Sequence, residues 1–323
     1  EDGKTYVKMT DKGDPTGRLF TKGGGNEIKV HHRKHIEFRN CEFIGYAFKD
    51  DMTNGNNFPR SSHIVWNNCS MRYGGVLIEL HRHNDYWKVV NCSLSRAANG
   101  IYSMNSKEGY TGHNAIISNN EITDICVYKY GYSSGDCHAV GAQNSRNWIV
   151  ENNFINHTGS AIEFWSGPTR YMDNHTIRNN YIQNALVDFF TMGTGIAISG
   201  MHGESIGKRT GFRVYNNIII DPEGAGIGSN NPDKEIIFNN MIIGFGKDSG
   251  REGFSSSIMS NYSAAVDFKN NLLMNPYNQD DFDINVNYFF KVHSPNDPSL
   301  DRLDIDNNLY YPYADIHYKF TSP

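Results

Sequence analysis

The sequence predicts an all-β solenoid of about ten turns. A short run centred on an asparagine recurs ten times, from IEFRNCEF near the start to LDIDNNLY near the end. Within each copy the apolar residues alternate, which is the period of a strand with one buried face. No segment carries an apolar stripe at i, i+3, i+4 and i+7, so helices have no place in this scheme.

The copies align on Asn40, Asn68, Asn91, Asn119, Asn152, Asn179, Asn216, Asn239, Asn270 and Asn307, at spacings between 23 and 37 residues. That range belongs to stacked repeats rather than to separate domains. Between the asparagine copies lies a second run rich in small residues: GGVLIEL, NGIYSMN, HAVGAQN, SAIEFWS, TGIAISG and AGIGSNN. Its copies align on one apolar position, Val76, Ile101, Val140, Ile162, Ile196 and Ile227. Each turn therefore carries at least two short strands. Stacked turns lie one strand spacing apart, about 4.8 Å.

An asparagine at every bend has a physical reason. It tolerates the left-handed backbone of a sharp corner, and its amide can both donate to and accept from the copies above and below. In the first three turns a cysteine follows the aligned asparagine, as Cys41, Cys69 and Cys92, where the later turns have a second asparagine. Stacked in register, these read as small interior fillers with free thiols. Five cysteines in all do not make a disulfide framework.

The 323 residues read as one solenoid domain, with 1–27 an incomplete first turn or cap and 243–323 carrying longer insertions and a C-terminal cap. A net charge of −5 and the absence of any Lys/Arg run longer than two argue against a nucleic-acid partner. No stretch of about 18 apolar residues is present to span a membrane as a helix. Aromatic residues make up 13% of the chain, a composition suited to stacking on sugar rings.

The paired-asparagine corner, the alternating strands and the ten turns resemble the right-handed parallel β-helix proteins, over residues 28 to 310. That superfamily includes pectate lyases, several glycoside hydrolases, uronan epimerases and phage tailspikes. The resemblance implies a parallel β-helix fold, a poly- or oligosaccharide ligand, and a secreted or periplasmic location. It does not choose among activities, because fold does not fix function. A monomer is the expected state, since a solenoid with capped ends needs no partner.

Within the solenoid, aligning Val140 with Ile162 puts Glu163 on the outer face and Asp136 on the neighbouring turn, with His138 close by. Two carboxyl groups on adjacent turns suit glycosidic hydrolysis: one protonates the leaving oxygen while the other attacks the sugar or activates water. Glu163 reads as the acid, Asp136 as the nucleophile or base, and His138 as a hydrogen-bonding companion. Trp165, Gln143, Tyr102, Glu79, His81, Arg82, His83, Arg170, His202 and Asn230 are candidates to line a shallow groove beside them. Each has a plainer reading too, because an outward Glu is ordinarily solvated and Gly-Asp ordinarily makes a turn. His81 and His83 alternate as zinc ligands can, but a single HxH is a weak signal. No cofactor or metal is required by this scheme.

Two alternatives accompany the hydrolase. A polysaccharide lyase or uronan epimerase would need a base, a positive group to neutralise the uronate, and sometimes calcium. A non-catalytic glycan-binding solenoid would leave both carboxylates as surface groups.

Overall fold

A computed structural model of the chain describes residues 27–29, 34–45, 47–49, 61–80, 85–103, 112–126, 137–166, 172–186, 193–200, 209–230, 235–246, 256–261, 266–274, 288–293, 303–311 and 318–321. These contain strands and turns but no helix. Three long sheets account for all but two short strands, with eleven, ten and ten members, and the strand pairings within them are parallel. Each strand pairs with its counterpart one turn away. The chain is thus a right-handed parallel β-helix with three strands per turn.

The sequence pattern accounts for the third strand. The asparagine run is two strands rather than one, bent at the aligned residue: Ile149–Glu151 precedes Asn152 and Phe154–Thr158 follows it. The small-residue run forms the remaining sheet, which includes Val76–Glu79, Asn99–Ser103, His138–Gln143, Ser160–Ser166, Ile196–Gly200 and Ile227–Asn230. We call this the site sheet, and the sheets before and after the asparagine the second and third sheets.

The two residues at each corner, both asparagine in the last seven turns, divide the labour that one was expected to perform. The first of each pair, Asn40 through Asn307, has a left-handed backbone with φ near +55°. The second points inward and builds the ladder. Asn153 Nδ2 donates to Asn180 Oδ1 at 2.9 Å and to the Ile117 carbonyl at 3.0 Å. Asn180 Oδ1 also accepts the Asn153 backbone N–H at 3.1 Å, and the pattern repeats through Asn217, Asn240, Asn271 and Asn308. Every buried amide in this column is satisfied, which is what permits a polar column inside an apolar core.

Cysteines extend that column toward the start of the chain. Asn120 Oδ1 accepts the Cys92 N–H at 2.9 Å, and Cys92 Sγ in turn lies 3.4 Å from the Cys69 N–H. Cys41, Cys69 and Cys92 are free thiols, as the sequence suggested. Cys126 and Cys137 form a disulfide that the sequence reading did not anticipate.

Two further corners use left-handed residues in the same way. Asn114, Asn147 and Asn174 stack at the entry to the second sheet, each amide bonding the next at 3.0 Å. Tyr73, Arg96, Asp124, His157, Asn184 and Asp221 line the exit from the third. Between the sheets, Ile101, Val140, Ile162, Ile196 and Ile227 fill the core with no exposed surface.

A buried imidazole also sits in this interior. His175 is completely enclosed, stacked on Phe164 at 4.4 Å and tilted against Phe212 at 4.8 Å. Its Nδ1 accepts the Trp148 N–H at 3.1 Å, and Nε2 lies 3.0 Å from the Ser145 carbonyl, so the neutral ring carries its proton on Nε2. Burial pushes its pKa down to about 3; the Ser145 carbonyl opposes the shift and His113 adds slightly to it.

Candidate active site

The site sheet sets a row of outward positions running along the solenoid axis. Strand pairing carries it from Glu79 to Tyr102, Gly141, Glu163, Ala197 and Gly228. A second row, two residues further along the strands, pairs Gln143 with Trp165 and Trp165 with Ser199. Because strands alternate, Val140, Ile162 and Phe164 fill the core while Glu163 and Trp165 face out.

Glu79 corrects the sequence alignment. Matching Val76 to Ile101 put Glu79 beside Gln143 and Trp165, whereas the structure pairs Ile101 with Ile78 and so puts Glu79 beside Tyr102. Val76, Ile78 and Ile101 are all buried. A slip of two residues keeps every side chain on its own face, so the apolar pattern cannot detect it.

His138 departs from the alternation. It shares parity with Val140 and Ala142, which point inward, yet its ring contacts outward groups. It stacks with Tyr102 at 5.8 Å and tilts against Trp165 at 5.3 Å, and those two rings are 5.6 Å apart. Gly141 permits this. A Cβ on Gly141 would lie 2.9 Å from His138 Cδ2, so the imidazole occupies the space that a side chain would need. The His138 backbone N–H is held by Asn99 Oδ1 at 2.9 Å, and the preceding residue is anchored by the Cys126–Cys137 disulfide.

His138 Nδ1 lies 3.4 Å from Glu163 Oε2, near enough for electrostatic attraction but without hydrogen-bond alignment. These outward groups are nevertheless recessed: Glu79, Tyr102, His138 and Gln143 are each under 9% exposed, and the Glu163 side chain is 12% exposed. Outward residues on the third sheet, such as Phe154 at 37%, are far more open. Carboxylates, an imidazole, a phenol and an amide held out of bulk water beside an indole make a site able to bind hydroxyl groups and move protons.

Of the thirteen residues singled out in the sequence, six therefore gather here: Glu79, Tyr102, His138, Gln143, Glu163 and Trp165. Asn230 has a strand position, paired with Asn261. Asp136, His81, Arg82, His83, Arg170 and His202 lie outside the described residues. Asp136 immediately precedes disulfide-bonded Cys137, two residues ahead of His138. Among the described residues, no three of His, Cys, Asp and Glu converge where they could hold a metal ion. Sequence reasoning missed Asn99 and Gly141. The only signal for Gly141 was a glycine on a strand next to Tyr102 and Glu163, at a position where just one other copy, Gly228, also lacks a side chain.

No protein-family model matches the chain, and no curated protein matches its sequence. Solved structures match the fold. The DFA-IIIase of Arthrobacter chlorophenolicus A6, in complex with GF2, superposes with a TM-score of 0.55 at 14% identity, over 92% of this chain and 67% of that one. The A-module of a mannuronan C-5 epimerase from Azotobacter vinelandii gives 0.52 at 10% identity, over 91% and 76%. The Dettilon tailspike protein matches at 0.49 and 11% identity, and the chain spans about half of its length, 55%. At these identities the likeness is one of fold.

Proposed function

We propose that the protein is a carbohydrate-active enzyme, a glycoside hydrolase that cleaves a poly- or oligosaccharide lying over the site sheet. The observation that carries this reading is the recessed Glu163 carboxyl beside the His138 imidazole, with Trp165 and Tyr102 next to it. A carboxyl group shielded from water suits proton donation to a glycosidic oxygen, and aromatic faces suit sugar rings. The fold relatives named as a DFA-IIIase and a mannuronan C-5 epimerase support a carbohydrate-active reading by analogy only.

In this reading Glu163 protonates the leaving oxygen as the bond from the anomeric carbon to it breaks. A second carboxylate attacks that carbon or takes a proton from the attacking water. Asp136 is the candidate for the second role. Glu79 is another, three strand spacings from Glu163 along the row, or about 14 Å between backbones. Side chains leaning toward one another from that distance can reach the roughly 6.5–9.5 Å separation of inverting enzymes. His138 packs beside the Glu163 carboxyl, and Gln143 offers donors and an acceptor to hydroxyl groups.

A lyase or epimerase is the second reading, favoured by the Tyr102–His138 ring pair, since either group can abstract a proton beside a uronate. Calcium belongs to that alternative. A secreted or periplasmic location fits either enzyme.

The test uses wild type, Glu163→Gln, Asp136→Asn and Glu79→Gln on neutral and uronate glycans, reading reducing ends and unsaturated products together. Reducing ends without unsaturation, lost in Glu163→Gln, support the hydrolase. Unsaturated products that survive Glu163→Gln and vanish in Tyr102→Phe move the chemistry to the second reading.

A further inference from the structure

The outer face of the third sheet changes character halfway along the solenoid. One outward row runs, by strand pairing, through Glu42, Ser70, Ser93 and Glu121 and then through Phe154, Tyr181, Ile218, Met241, Leu272 and Leu309. The neighbouring row is polar from Arg72 to Gln183 and then becomes Ile220, Ile243, Met274 and Tyr311. The first four turns show that this fold tolerates serine and glutamate at these positions. Apolar side chains in the later turns are therefore not demanded by the solenoid.

They are also in contact with solvent. Phe154, Tyr181 and Ile218 are each just over one-third exposed, Leu309 and Tyr311 more than half, and the other members of the two rows are half-buried. Together they present on the order of 600 Å² of apolar surface, taking about 200 Å² for a whole aromatic side chain. That reaches the upper end of what a lone soluble chain ordinarily leaves uncovered. The stripe is flat and runs about 24 Å along the axis, five strand spacings.

We infer that this face pairs two copies of the chain, side by side, through Phe154 to Leu309. With a polar rim, the area approaches the roughly 800 Å² per partner of a standard stable interface. The two outward rows carry no charged side chain from Phe154 onward, so the face offers nothing for a charged partner to recognise, whereas a second flat apolar stripe is complementary to it. A two-fold axis makes the same patch serve both subunits. The site sheet stays outside this contact, so both candidate sites remain open. A dimer departs from the monomer expected of a capped solenoid, and does so whatever reaction the site performs.

The experiment is mass by light scattering and sedimentation velocity on the 323-residue chain, from about 1 to 100 μM. The expected result is a concentration-dependent rise from 36.6 kDa toward twice that mass. Ile218→Lys with Leu272→Lys should hold the chain at monomer mass throughout, with an unchanged β-sheet circular dichroism spectrum. Ser93→Lys, in the polar half of the same row, should leave association intact. Hydrogen exchange on wild type needs no variant to fold: the Ile218–Ile220 and Leu272–Met274 strands should gain protection as concentration rises. A wild type that stays at monomer mass at 100 μM overturns the inference, as does a dimer indifferent to the paired lysines.

Discussion

His175 makes stability depend on pH in a definite direction. The folded protein holds this ring neutral, with a pKa near 3, while the unfolded chain protonates it at its ordinary 6.5. Between those values the unfolded state binds the extra proton, so stability falls as pH drops from about 6.5 to about 3 and is flat outside that window. Each pH unit inside it costs about 1.4 kcal/mol, so His175 alone removes about 2 kcal/mol at pH 5 and nearly 5 kcal/mol below pH 3. The assay is urea unfolding of wild type and His175→Gln at pH 7.5, 6, 5 and 4.5. Gln cannot titrate. It should destabilise the protein at pH 7.5 through the lost Trp148 and Ser145 contacts, yet show a shallower pH slope. The gap between the two proteins should narrow by about 2–3 kcal/mol between pH 7.5 and 4.5. Parallel slopes, or a His175 resonance that titrates near 6.5 in the folded protein, would refute the reasoning.

Three other outcomes follow from the same structure. Asn180→Ala removes the acceptor of the Asn153 backbone N–H and one of the two donors to Asn217, stranding the buried Asn153 N–H and weakening the bond to the next turn; a loss of about 2–5 kcal/mol is expected in unfolding free energy. Gly141→Ala drives a methyl into the His138 ring, so kcat should fall roughly 10- to 100-fold, as when a proton-transfer group is misplaced, while KM and thermal stability change much less; an equal loss in KM would point to substrate binding instead. Reducing the Cys126–Cys137 bond, or replacing both cysteines by Ser, relaxes a loop of 11-residue separation; about 3 kcal/mol or less of stability should go, and turnover should fall further than that loss explains, because His138 adjoins the bridge.

The fold was legible because its most repetitive feature is also its most constrained. A left-handed corner followed by a small inward polar residue favours Asn-Asn, found at seven corners, or Asn-Cys, found at three, and the ten left-handed asparagines announce ten turns. What the pattern could not carry was register along the strand, since Val76 and Ile78 serve equally well as core residues. That ambiguity misplaced Glu79 by two positions. Glu163 and Trp165 were legible because their strand, SAIEFWS, alternates strictly. His138 was chosen for its chemistry, yet its outward ring depends on the absence of a side chain at Gly141, a fact of three dimensions. The disulfide was hidden by an odd cysteine count in which three thiols belong to the corner column and two to the loop before the site.

The proposed hydrolase depends on Glu163 as the group that moves a proton over the site sheet. The most direct measurement compares Glu163→Gln with wild type on one cleaved glycan, taking affinity by calorimetry and turnover by reducing ends. The expected result is a Kd within about threefold of wild type and turnover reduced by at least about 100-fold, the scale of a lost general acid. Turnover within a few-fold of wild type in a folded variant would contradict it.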